Sequence, residues 1–256
     1  MQSDFEKYFG TKEFAGSNEN TESGCRNGCI YCYACANSNR FNHHEGEWTE
    51  PVLNEKSIRK GFRKRQGGIM FPTSHDIYPE NLDICIRQLQ KMLLAGNDVL
   101  VVSKFHPAVA ERVAFELAPF RSQMVIRATI TSADPDTLSY WEPHAPPFQD
   151  RLSALQHLYE SGFQTSVLIE PLLDPDPYVI VSAVTPYVNH SIWIGRMNHG
   201  ISRLSLNGFK APELHARARE LRAGHDARWD EFHDELAGNP LIRWKGESTR
   251  DKDGIS

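Results

Sequence analysis

The chain has 256 residues, 40% of them hydrophobic and 24% charged, with a formal net charge of −5. That length fits one domain of α/β-barrel size, and the apolar content is enough for a core, which excludes global disorder. No apolar run approaches the ~20 residues of a membrane-spanning helix, the strongest being Asp98 to Phe105, and the polar N-terminus lacks the apolar segment of a signal peptide. The expected location is therefore the cytoplasm, with no membrane partner. The negative charge argues against nucleic-acid binding over the whole surface and leaves room for a local basic patch.

In chain order, a polar lead (Gly16 to Ser23) with one weak strand comes first, followed by a cysteine-rich loop. Short apolar runs then alternate with helical patterns. The runs Gly68 to Pro72, Asp98 to Ser103, Met124 to Thr131, Thr165 to Glu170 and Ser191 to Ile194 are β-branched and nearly continuous, as in parallel strands buried on both faces. Helices are predicted over Glu80 to Ala95, Ala108 to Leu117, Arg151 to Tyr159 and Tyr178 to Val188. Pro212 to Leu236 reads as one long charged helix, and Asp251 to Ser256 as a frayed end. Repeated strand-helix units imply a parallel sheet with right-handed crossovers. About six units are countable, fewer than the eight of a full barrel, which needs roughly 250 residues. The expected fold is α/β, a partial (β/α)6 barrel over residues 1–210 with a C-terminal helical extension and tail over 211–256.

Four of the five cysteines, Cys25, Cys29, Cys32 and Cys35, fall within eleven residues, and Cys85 stands alone. In a chain without an export signal such a cluster points to metal rather than disulfides. In Gly24-Cys-Arg-Asn-Gly-Cys-Ile-Tyr-Cys-Tyr-Ala34, thiolates spaced four and three residues apart can wrap three corners of one cluster. Gly24 and Gly28 allow the positive φ that such wrapping needs. A four-iron cluster held this way keeps one open iron. Structural zinc would want a fourth ligand at its own spacing; no second Cys pair or Cys-His pair exists, and Cys35 is the nearby candidate for that place.

With an aromatic residue before its last cysteine, the motif resembles the signature of the radical S-adenosylmethionine (radical SAM) family. The resemblance implies a [4Fe-4S] cluster whose open iron is chelated by the amino and carboxylate groups of S-adenosylmethionine (SAM). It implies one-electron cleavage of SAM to methionine and a 5′-deoxyadenosyl radical, and a partial (β/α)6 barrel, in agreement with the count above. It also implies a low-potential electron donor of the flavodoxin or ferredoxin type as partner. Beyond the loop, Asp134, Glu142-Pro143, Ala145-Pro146, Arg151-Leu152 and Ser161-Gly162-Phe163 extend the likeness to the subgroup related to spore photoproduct lyase, between Ser23 and Asn198.

On this resemblance Cys25, Cys29 and Cys32 are the cluster ligands and Tyr31 packs near the adenine. Thr73, Ser74 and Asp76 follow the second strand and face the amino end of SAM, although Gly67-Gly68-Ile69 lacks the acidic residue of the family's Gly-Gly-Glu motif. Ser103 and Lys104 end the third strand, where a lysine of the subgroup approaches the cofactor carboxylate; a solvated strand end is the alternative. Thr129 aligns with a serine that contacts SAM. Arg127 sits on the same face two residues earlier, where a cation in an apolar strand needs a carboxylate of the protein or of the ligand. Glu170 is read as catalytic, reaching the ribose or the substrate, or else as the ion-pair partner of Arg127 or Arg196. Cys35 is a candidate hydrogen-atom donor or accessory ligand, with a buried thiol as the plainer reading, and Cys85 lies on an apolar helix stripe. Glu142 and Arg151 either pin the fourth loop to its helix or serve catalysis. Spore photoproduct lyase uses a cysteine as hydrogen-atom donor, and none is assignable here, so a strict thymine-dimer lyase is not expected.

Substrate is expected to enter at the C-terminal ends of the strands, past the loop Phe41 to Leu53 and the segment after Ile194. The run Arg59-Lys-Gly-Phe-Arg-Lys-Arg65 places five positive charges in seven residues beside one aromatic. That can neutralise phosphates and stack on a base, unless it is a solvated helix face. The leading expectation is a radical SAM enzyme, of lyase or transferase type, abstracting hydrogen from a nucleotide or nucleic-acid base. The alternatives are a radical SAM enzyme acting on a peptide or small metabolite, and a non-catalytic metal-cluster or nucleic-acid-binding module.

Overall fold

The computed structural model describes residues 13–245; the frayed end read over Asp251 to Ser256 lies outside the described residues. Within them, one 7-stranded parallel sheet has a spatial order that follows the chain. Its strands are β1 (Ser17–Asn18), β2 (Ile69–Phe71), β3 (Val99–Ser103), β4 (Met124–Thr129), β5 (Gln164–Ile169), β6 (Ser191–Ile194) and β7 (Ile242–Trp244). β1 and β7 are its two edges, so the barrel is partial and open along one side. The first six strands are the units countable from sequence. β7 is an addition: it pairs with β6 through Ile192 to Ile242 and Ile194 to Trp244, so the chain beyond residue 210 extends the sheet as well as supplying a helix. Three residues are too few to show a period, and only the long-range partner makes them a strand.

Alternation decides what each strand contributes. Ile69, Val99, Ile126, Val167 and Ile192 face outward into a core shared with the helices. Met70, Leu100, Val125, Leu168 and Trp193 face the barrel interior, where they meet Phe14 and Ala15 from the segment before β1. Both faces are buried, which is why the strands read as continuous apolar runs. Phe14 plugs the floor. Its ring stands edge-on to Trp193 at 5.1 Å, with the Arg127 guanidinium 4.4 Å and the Lys245 ammonium 3.8 Å from its centroid. These cation–π contacts help carry two charges in an apolar interior.

The helices expected from periodicity are α3 (Leu82–Leu94), α4 (Pro107–Glu116), α6 (Phe148–Glu160), α7 (Tyr178–Val184) and α9 (Pro212–Leu236), and four more join them: α1 (Tyr33–Phe41), α2 (Glu55–Arg59), α5 (Pro135–Trp141) and α8 (Gly200–Leu206). α7 stops short of Val188 because Pro186 has no N–H to continue it, and Thr185–Tyr187 form a 3-10 turn instead. α5 begins with Pro135 after Asp134, whose carboxylate accepts from the Thr137 N–H at 2.9 Å, a regular N-cap. A short antiparallel pair, Glu22–Ser23 with Val52–Leu53, frames the cysteine loop and the loop after α1. No helix among the described residues is long and apolar enough to cross a membrane.

Candidate active site

A cavity of about 430 Å³ lies at the C-terminal ends of the strands, within the size range of small-molecule sites. Cys25, Cys29, Cys32, Tyr31, Thr73, Ser74, Asp76, Ser103, Lys104, Thr129 and Glu170 all line it. Each strand delivers its residues at its C-terminal end, so segments far apart in sequence meet on one side of the sheet. Cys35 and Arg127 are outside this lining.

The cysteine loop owes its shape to glycine and to clamps on its backbone. Gly24 and Gly28 have φ of 97° and 59°. A Cβ at Gly24 would lie 2.8 Å from the Trp48 carbonyl oxygen and 3.0 Å from Pro51 Cα, so the loop after α1 packs directly on the cysteine loop, and the Cys25 N–H donates to Trp48 O at 2.8 Å. On the other side Asn207 Nδ2 donates to Ile30 O and Cys32 O, each at 3.0 Å. The Cys35 N–H approaches Cys32 Sγ at 3.5 Å. All five cysteines are free thiols. Burial pushes Cys29 up to about 12, with the Lys104 charge opposing, and burial together with the Asp76 charge raises Cys25.

The three thiols share one cavity wall. That donor set suits an iron–sulfur cluster, which takes one thiolate at each of several separate corners.

Behind the cysteines lies a buried ion pair. Glu142, at the end of α5, and Arg151, on α6, have fully buried side chains and meet at 2.5 Å. Arg151 also donates to Pro146 O at 2.7 Å and Thr129 O at 3.2 Å. Glu142 accepts from Thr131 Oγ1 at 2.6 Å and from the Tyr31 hydroxyl. Burial works against the Glu142 charge, but Arg151, Lys104 and these hydrogen bonds outweigh it and hold its pKa down at about 2. The pair thus ties the cysteine loop, through Tyr31, to the end of β4.

A second carboxylate ties the loop to β3. Asp76 accepts from Asn27 Nδ2 at 2.5 Å, from the Ile77 and Lys104 N–H groups at 2.8 and 3.0 Å, and from the Ser103 hydroxyl. Asn20 shapes the turn after β2: its Oδ1 accepts the N–H groups of Thr73 and Ser74 at 2.7 and 2.9 Å, and its Nδ2 donates to Thr73 Oγ1 at 2.9 Å. Burial disfavours the Lys104 charge, but Cys29, Glu142 and Asp76 outweigh that and raise its pKa.

No family model matches the chain. An uncharacterized protein of Acidianus two-tailed virus is 25% identical over 166 residues, 60% of this chain and 54% of that one. An uncharacterized protein of Methanocaldococcus jannaschii is 23% identical over 172 residues, 65% of this chain and 64% of that one. The chain therefore spans less than two thirds of these curated relatives. Among solved structures, spore photoproduct lyase complexed with dinucleoside spore photoproduct superposes with a TM-score of 0.55 at 12% identity, over 91% of this chain and 76% of the lyase. A mutant of the same lyase with dinucleoside spore photoproduct gives a TM-score of 0.54 at 13% identity over the same shares. The chain shares the fold of spore photoproduct lyase.

Within this fold, several residues take partners that sequence did not reveal. Glu170 meets neither Arg127 nor Arg196. Its neighbour is Lys245 at 3.7 Å, which also reaches Glu13 at 3.0 Å, and burial raises the Glu170 pKa against the opposing Lys245 charge. Arg196 pairs with Asp226 at 2.6 Å, and Arg127 Nε donates to Ser166 Oγ at 3.0 Å one layer below the cavity. Cys35 is buried on the first turn of α1, its sulfur accepting from Asn39 Nδ2 at 3.5 Å. Cys85 is buried in the outer core and approaches Thr21 Oγ1 at 3.6 Å. The basic run is largely matched within the protein: Lys60 and Arg65 converge on the buried Glu19 at 2.6 and 2.7 Å, and Arg59 pairs with Glu55 at 3.2 Å.

Gly195 fixes how closely β5, β6 and β7 approach at the cavity. A Cβ there would lie 2.9 Å from Glu170 Cγ and 3.0 Å from Lys245 Cβ. Gly195→Ala is expected to displace both and to cost about 1–3 kcal/mol through overpacking, read as a lower urea midpoint with an unchanged m-value.

Proposed function

We propose that the chain is a radical SAM enzyme in which Cys25, Cys29 and Cys32 hold a [4Fe-4S] cluster and SAM lies beside the ends of β2, β3 and β4. The observation that carries this reading is one cavity lined by three free cysteines, a charged lysine and the polar strand ends of Thr73, Ser74, Ser103 and Thr129. When bound, the cluster supplies the electron that cleaves SAM reductively to methionine and a 5′-deoxyadenosyl radical. The chain's own residues bind and orient. Lys104 offers the counter-charge for the SAM carboxylate. Ser74 and Thr129 offer hydroxyls, and Tyr31, held by Glu142, packs against the adenine. Asp76 is a positioning residue, because its carboxylate is occupied by Asn27, Ser103 and two backbone N–H groups. Cys35 supports the Cys32 sulfur through its N–H and lies outside the cavity, so it is not assigned a role at the reacting atoms.

A reductant of flavodoxin or ferredoxin type, in the cytoplasm, provides the electron. Likeness to a lyase solved with a dinucleoside supports a nucleotide or nucleic-acid base as the hydrogen source. The pairing of Lys60 and Arg65 with Glu19 favours, as a second reading, a small metabolite over a long nucleic acid. The test is anaerobic reconstitution, with iron and sulfide per chain and dithionite-dependent 5′-deoxyadenosine measured by chromatography. About four irons per chain with deoxyadenosine formation is the expected result; zinc in place of iron, or an intact cluster that never cleaves SAM with or without candidate substrates, overturns it.

A further inference from the structure

The cavity wall built by the segment after β6 and the end of β7 is a surface of donors. It carries Arg196, Asn198, Arg203 and Lys245, with Glu170 as the acidic group beside them. Arg196 and Lys245 are matched, to Asp226 and to Glu13 and Glu170. Arg203 is not. It is half-buried, its guanidinium lies 6.0 Å from the centroid of the Tyr33 ring, and among the described residues it has no carboxylate at ion-pair distance.

Asn198 lines the same cavity. Its side chain meets Arg222 Nη1 at 3.0 Å, and because a guanidinium only donates, the Asn198 oxygen must face it. Both amide hydrogens are left without an acceptor among the described residues. The mount is firm: Asn39 Nδ2 donates to Leu206 O at 2.9 Å, and Asn207 joins the end of α8 to Ile30 and Cys32 of the cysteine loop. The Arg203 charge is felt by Glu170 and Cys32, but with no carboxylate at ion-pair distance a half-buried guanidinium carries a desolvation cost that a bound anion offsets. Its planar fork matches phosphate or carboxylate oxygens.

We propose that Arg203 and Asn198 form an oxyanion subsite for the substrate, which therefore carries a phosphate or a carboxylate beside the position attacked. The inference rests on the radical SAM reading for what fills the rest of the cavity, where Lys104 already serves the cofactor's carboxylate.

The test is NMR titration of inorganic phosphate (31P) and, separately, of 13C-labelled acetate into the cluster- and SAM-loaded protein before and after reduction, and into the cluster-free protein. Wild type is expected to broaden the line of at least one anion, with further paramagnetic broadening on reduction because the subsite adjoins the cluster. Arg203→Met is expected to weaken binding about tenfold or more, and Asn198→Leu to weaken it less. Lys210→Met, at an exposed position outside the cavity lining, leaves it unchanged. Preference for phosphate identifies a phosphorylated substrate, and preference for acetate a carboxylic acid. The subsite is overturned if wild type binds neither anion, if Arg203→Met leaves both affinities intact, or if it weakens SAM binding alone. Iron content separates the two failures, because the cluster-free titration still reads the subsite when no cluster forms.

Discussion

Alanine at Cys25, Cys29 or Cys32 is expected to abolish iron loading and reductant-dependent 5′-deoxyadenosine formation, whereas Cys35→Ala retains both. Three thiols line the cavity and the fourth does not. Cys35 contributes a backbone N–H to Cys32 Sγ at 3.5 Å, and alanine keeps that N–H. Removing one of three ligands leaves an iron corner open to water, so the loss should be near complete. Iron and sulfide assays with chromatography on the four variants decide the matter. If Cys35→Ala lost iron to the same degree, the site would be a closed four-ligand structural one, with no open iron for SAM.

Breaking the Glu142–Arg151 pair is expected to produce the largest change in stability. Both side chains are fully buried, and removing one partner strands the other charge. Arg151→Met should therefore cost about 3–5 kcal/mol, and the double replacement Glu142→Leu/Arg151→Met should cost less than the single one. Urea unfolding of the three proteins measures this. The same pair sets an acid limit. The Glu142 pKa falls from an ordinary 4.5 to about 2 in the folded chain. A depressed folded-state pKa gives stability that is complete above the unfolded value and is lost as pH falls through the interval from 4.5 to about 2. The loss is on the order of 3 kcal/mol, and it should be absent from Glu142→Gln. An acid titration in which wild type and Glu142→Gln lose stability in parallel would overturn the assignment.

Much of the architecture is legible before any coordinates. The inner strands face helices on one side and the barrel interior on the other, so β2 to β6 appear as nearly continuous apolar runs, and α3, α4, α6 and α9 appear through their spacing. The cysteine motif is equally local in sequence, with three thiols and two glycines within one short loop, but its shape also needs the distant clamps of Trp48 and Asn207. The lining residues Thr73, Ser74, Ser103, Lys104, Thr129 and Glu170 could be proposed because each sits at the end of a recognisable strand, and strand ends in a parallel barrel gather on one face.

Charge partners are not legible in the sequence. Glu170 reads as a partner of Arg127 or Arg196, yet its neighbour is Lys245, more than seventy residues along the chain and brought close only because β7 docks on β6. The basic run from Arg59 to Arg65 reads as a phosphate-binding patch until Glu19 is seen beneath it. Asp76 reads as facing SAM, and only the fold shows Asn27 and Ser103 on its carboxylate. By itself the sequence determined the cysteine loop, the run of strand-helix units and the face on which a site must form, because periodicity and short spacings are properties of neighbouring residues. Only the tertiary structure decided which charges are matched and which, like Arg203, have no carboxylate at ion-pair distance among the described residues, because a counter-charge acts over a few ångströms of space whatever its distance along the chain.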